Sequence, residues 1–145
     1  MGRVIAAGLL AGLVLNIGEA VLHGVIFAAP AAEAMKQLGQ DIAGSGADTA
    51  QLVLITFVQG VLGMVLYSGV KGQWGAGAGT AARVALILWA LSAVYSAVYL
   101  GSGFAGLLPR GLVWGPVAYE LVRYLVAMAA GRLALRDKTA ATMPA

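Results

Sequence analysis

From Val4 to Ala29 the chain is apolar or small at every position except Asn16, Glu19 and His23. Three more long apolar stretches follow: Leu52 to Val70, Ala81 to Leu100, and Leu112 to Leu135. About 20 mostly apolar residues are needed for a helix to cross ~30 Å of hydrocarbon. The pattern therefore predicts an all-α integral membrane four-helix bundle, each span bounded by charge, Gly or Pro, with Pro30 ending the first. The bundle forms one domain over 1–145, with a tail at 136–145.

The first stretch could be a secretory leader. Arg3 resembles a short basic n-region, and Ala29-Pro30-Ala31 loosely resembles a cleavage site. A leader's apolar core runs about 7–15 residues, however. This stretch is longer and carries three polar side chains, so it reads as an uncleaved span. The start Met1-Gly-Arg-Val-Ile-Ala6 lacks the Ser/Thr of a myristoylation signal.

Two connections carry patterns of their own. In the first, Met35, Leu38 and Ile42 recur at i, i+3, i+7, predicting a short amphipathic helix on the membrane surface that Gly44-Ser45-Gly46 breaks. A plain connector and a lid over an outer cavity are both open readings of it. The second, Lys71 to Thr80, is glycine-rich and reads as a flexible linker. It has no Gly-Lys-Ser/Thr, and no strand precedes it, so it is no phosphate-binding loop. Trp74 and Trp114 stand near span ends, where indoles favour the headgroup zone. Gly8-x-x-x-Gly12 and Gly111-x-x-x-Gly115 offer close helix–helix approach. Pro116 fits a first helical turn.

Composition narrows the class. The chain is 61% hydrophobic and 10% charged, where soluble domains carry about 25% charge. This excludes a disordered chain and a nucleic-acid-binding surface. Without cysteine there is no disulfide, thiolate metal site or Cys nucleophile. Charge then sets orientation. Arg3, Lys71, Arg83, Arg132, Arg136 and Lys138 fall on one side against Asp137, and Lys36 and Arg110 on the other against Glu33, Asp41 and Asp48. By the Lys/Arg bias both termini face the cytoplasm.

The remaining charges lie inside the spans. Asn16, Glu19 and His23 share one face of span one, and Glu120, Arg123 and Tyr124 share one face of span four. At 1.5 Å per residue from the outer end, Glu19 lies about 15 Å deep, Arg123 about 16 Å, and Glu120, Gln59 and Ser92 about 12 Å. His23 lies about 9 Å and Tyr95 about 7 Å deep on the same scale. With Tyr119 these groups could converge into one polar core in the outer half, with Glu19 and Glu120 both engaging Arg123. Two carboxylates and one guanidinium leave one negative charge, which a proton on His23 would balance.

Ionisable groups at membrane depth are costly and point to function by default, although ion pairs can also merely join helices. Glu19 and His23 could give a metal two ligands and Glu120 a third, but Arg123 would repel the cation. H-E-x-x-H is absent, and a single histidine excludes bis-His haem. A triad of Ser92, His23 and a glutamate has no spacing signature. An anionic molecule could dock on Arg123 while Glu19 and His23 shuttle protons. No cofactor is assigned. The expected partners are the lipid bilayer and, beyond it, further copies or a larger membrane complex, with no nucleic acid.

The stretches Asn16-Ile-Gly-Glu-Ala-Val-Leu-His23, Ala34-Met-Lys-Gln-Leu-Gly39 and Tyr119-Glu-Leu-Val-Arg-Tyr124 resemble small four-span bacterial inner-membrane proteins of uncharacterised families. The resemblance implies the layout and the bacterial inner membrane, and no activity. The expected role is a non-enzymatic membrane protein binding a small molecule or proton-linked ligand. A structural or accessory subunit and an intramembrane enzyme are the alternatives.

Overall fold

A computed structural model describes residues 1–39, 46–103 and 107–135. Helix α1 (Gly2–Val21) runs on as a π-helical turn, Leu22–Ile26, and the chain bends at Phe27 into α2 (Ala28–Gln37). Helix α3 is Gly46–Trp74. Helix α4 (Ala78–Trp89) passes through a second π-helical turn, Ala90–Val94, into α5 (Tyr95–Gly103), and α6 is Arg110–Ala134. All four long stretches, Gly2–Ile26, Gly46–Trp74, Ala78–Gly103 and Arg110–Ala134, are long and apolar enough to cross a membrane. They are spans one to four, and they make the chain a multi-pass membrane protein.

Span one packs against spans two and four, and span four also against span three. Spans one and two, and spans three and four, run antiparallel: Gly8 meets Val61 and Gly12 meets Phe57, while Ser92 meets Tyr124 and Gly101 meets Val113. The shared core holds Ala7, Ala11, Leu15, Met64, Val84 and Met128, all at most 1% exposed. Most large apolar side chains instead face outward, as they do where the surroundings are lipid.

Small residues set the approach of spans one and two. A Cβ on Gly8 would meet the Val61 Cα, and one on Gly60 would meet the Gly12 backbone nitrogen. Without a hydrophobic drive between helices in lipid, such contact supplies dispersion attraction that larger residues would block. The second glycine pair behaves otherwise. Gly111 has open space beside it, and a Cβ on Gly115 would meet only the Phe27 ring.

Several expected boundaries move. Pro30 does not stop span one. It lies in the first turn of α2, where its missing N–H is not needed, and the break comes at Phe27 (φ −104°, ψ 2°). Pro116 is interior to α6, because that helix already starts at Arg110 behind Pro109. Met35 is helical and Leu38 follows the helix end; Ile42, the Gly44-Ser45 break and the tail from 136 lie outside the described residues.

The glycine-rich connection is also shorter than expected. Residues 71–74 continue span two and 78–80 begin span three, leaving a turn at 75–77. Gly75 supplies a φ of +85°, which a side chain would disfavour. The buried Thr80 hydroxyl lies 3.0 Å from the Trp74 carbonyl and 2.6 Å from that of Gly75, and Arg83 stacks 5.9 Å over the Trp74 ring. Thr80→Val keeps the shape and removes the hydroxyl. It should cost about 1 kcal/mol, read as a lower melting temperature in detergent. An unchanged melting point would mean that the hydroxyl does not hold the turn.

Candidate functional site

Three of the four spans leave the regular α ladder around one region. The π turn of span one begins at Leu22, next to His23, and that of span three contains Ser92. In span four Pro116 has no N–H for the Leu112 carbonyl one turn back. Such interruptions loosen a helix locally, and π turns are frequent at functional sites.

At this level Arg123 reaches across to span one. Its Nη1 forms an ion pair with Glu19 Oε1 at 2.5 Å and donates to the Leu15 carbonyl at 3.1 Å. Its Nη2 pairs with Glu120 one turn earlier on its own helix. Room for the crossing comes from Gly18, where a Cβ would collide with the Arg123 side chain. Tyr119 OH donates to the Gly18 carbonyl at 3.0 Å, and the guanidinium lies 5.2 Å over the Tyr124 ring. Arg123 Nε–H is buried with no hydrogen-bond partner among the described residues.

A second set of polar groups adjoins it. Tyr124 OH donates to Gln59 Oε1 at 3.2 Å. Ser92 Oγ lies 2.9 Å from Tyr124 OH and 2.7 Å from the Leu88 carbonyl, with one serine proton for the two. His23 Nε2 stands 3.2 Å from Glu19 Oε2, its side chain 64% exposed.

Two expected members are elsewhere. Asn16 donates to the Gly12 carbonyl at 3.0 Å and reaches Val53 O at 3.4 Å, so it faces span two and not Arg123. Tyr95 is exposed and stacks on Tyr99, with ring centroids 6.3 Å apart. The wide π turn before it rotates less per residue than an α turn, which swings Tyr95 off the face that Ser92 occupies. Sequence reasoning missed Ser96 and Trp89. Ser96 follows Ser92 by one α turn, a signal that was available. Trp89 Nε1 donates to the Val117 carbonyl at 2.8 Å, tying span three to span four beside Pro116.

The cluster borders a cleft of about 310 Å³. Glu19, Glu120, Arg123, Ser92, Ser96 and Tyr124 are among its lining residues, and Ala93, Ala97, Val113 and Val117 add apolar wall. A separate cleft of about 340 Å³ lies between spans one and two, lined by Asn16, Leu52, Val53 and Thr56. Glu19 and His23 border both. The charges are unevenly presented: the Arg123 side chain is 4% exposed, Glu120 11% and Glu19 32%. Arg123 is thus the buried hub and the carboxylates its outer layer. An anion would have to displace one of them to reach it. Glu19 and His23 could offer a metal two ligands, but no group of three His, Cys, Asp or Glu suited to a metal exists among the described residues. No family model, curated protein or solved structure matches the chain.

Proposed function

We propose that this protein binds a small molecule in its intramembrane polar core, in linkage with a proton, without transforming it. The observation that carries this reading is the cleft itself: a network that only joins helices needs no space of about 310 Å³ beside its charges. Its size is at the lower end of the ~300–1,000 Å³ typical of ligand pockets. The backbone interruptions around it support the reading, since irregular backbone at membrane depth is tolerated where it lines a cavity. The proton linkage follows from the charge count: with His23 neutral, Glu19, Glu120 and Arg123 together carry one negative charge that a proton or a ligand can balance.

The Lys/Arg bias supports a placement with both termini on the cytoplasmic side, and the resemblance favours a bacterial inner membrane. A structural subunit of a larger complex is the second reading. In it the polar core would serve only to join this chain's own helices, as the bonds from Arg123 and Tyr119 to carbonyls of span one do.

Ser96 lines the cleft without a charge, so Ser96→Trp fills it and leaves the ionic cluster intact. Native mass spectrometry of protein extracted from its own membranes should show a bound small molecule in the wild type. That mass should be lost in Ser96→Trp at an unchanged gel-filtration profile. If wild type and variant carry identical masses, the cleft is no binding site and the structural reading takes its place.

A further inference from the structure

We infer that the cleft accepts a small organic ammonium ion, with its nitrogen against Glu19 and Glu120 and its carbon body along the Ala93, Ala97 and Val113 wall. This deepens the binding reading above and rests on it.

The sign of the ligand follows from which charge is presented. Arg123 is 6% exposed overall and its terminal nitrogens are taken by two carboxylates and the Leu15 carbonyl. What a ligand meets is the outer side of those carboxylates. An anion there would face two like charges across a medium of low dielectric, where repulsion is strong. A monocation supplies the one positive charge that the trio lacks. It does so in competition with a proton on His23, whose Nε2 is 3.2 Å from Glu19.

The walls narrow the class. A bare divalent ion requires several oxygen ligands at once, whereas both carboxylates here are already committed to Arg123. Ala97 and Val113, buried at 3% and 7% exposure, and the neighbouring Ala93 give apolar contact suited to a short hydrocarbon body. Arg123 lines the cleft, and its Nε–H is buried without a partner among the described residues. Gln59, Ser92 and Tyr124 supply further neutral polar atoms to the cleft lining.

The test uses the full chain in detergent and three probes of equal length: n-butylammonium, n-butanol and n-butyrate, titrated calorimetrically. Butylammonium should bind at least tenfold tighter than the other two. Glu19→Gln and Glu120→Gln should each weaken it at least tenfold, and Ser96→Trp should abolish it. If Glu120→Gln fails to fold, Glu19→Gln, the more exposed carboxylate, carries the comparison. Butyrate or butanol binding as tightly as butylammonium overturns the inference and leaves a binding cleft standing. Unchanged affinity in both glutamine variants also overturns it. Binding by none of the three overturns it as well, and the mass-spectrometric comparison of wild type with Ser96→Trp then decides separately whether the cleft binds anything.

Discussion

Arg123→Leu should lower the stability of the protein by about 3–5 kcal/mol, the usual cost of stranding a buried charge partner. In the native bundle one guanidinium satisfies Glu19, Glu120 and the Leu15 carbonyl together. Leucine fills much of the same volume but leaves two carboxylates near each other with no cation. They must then take up protons or pull water into the bundle. Most of the loss should therefore belong to the stranded acids. Combining Arg123→Leu with Glu19→Gln and Glu120→Gln should recover the greater part of it, a non-additive result expected of groups in one network. Arg123→Lys should fall between, because a lysine carries the charge but cannot span two carboxylates with a planar fork. Thermal unfolding in detergent, followed by helical circular dichroism, measures all three. A wild-type melting point for Arg123→Leu would mean that these charges are not paired inside the bundle.

The four spans were legible because each is a long apolar run that nothing but a membrane or a large core could accommodate. The charged trio was legible for a related reason: so few ionisable residues lie at span depth that matching their depths nearly pairs them. The helical period was less decisive. Asn16, Glu19 and His23 share a stripe at i, i+3, i+7, yet that stripe is wide enough to straddle a seam. Asn16 falls on the span-two side while Glu19 borders both clefts. Tyr95 shows how the period itself can fail. Its placement assumed a uniform α-helix, and the π turn at Ala90–Val94 has no sequence signature that would have warned of it. The presentation of charge was illegible in principle. Sequence distance puts Arg123 and Glu120 on one face, but only the Gly18 gap lets the arginine cross to span one and bury its head behind the carboxylates. That burial is the ground for proposing a cation where the arginine alone suggested an anion.

Glycine placement gives the other large effect, and its sign depends on position along a single helix. Span two carries Gly60, Gly69 and Gly72, all within Gly46–Trp74. A methyl at Gly60 would press on the backbone nitrogen and Cα of Gly12 and on the Gly8 carbonyl oxygen. Backbone atoms cannot rotate aside as a side chain can, so Gly60→Ala must push spans one and two apart. Overpacking of this kind costs about 1–3 kcal/mol, occasionally more, and Gly60→Leu should prevent the bundle from closing. The displacement also reaches the charged site, because Gly8 and Gly12 lie on the same helix as Glu19, about two to three turns away. Separating the spans loosens the Glu19–Arg123 contact and should weaken ligand binding together with stability. At Gly69 and Gly72 a Cβ meets no atom within 4 Å. There alanine only gains helix propensity, worth up to about 1 kcal/mol per residue, so Gly69→Ala and Gly72→Ala should leave the melting temperature unchanged or raise it. The same substitution in the same helix is thus expected to act with opposite signs. Equal shifts at all three positions would remove close backbone approach as the force holding spans one and two together.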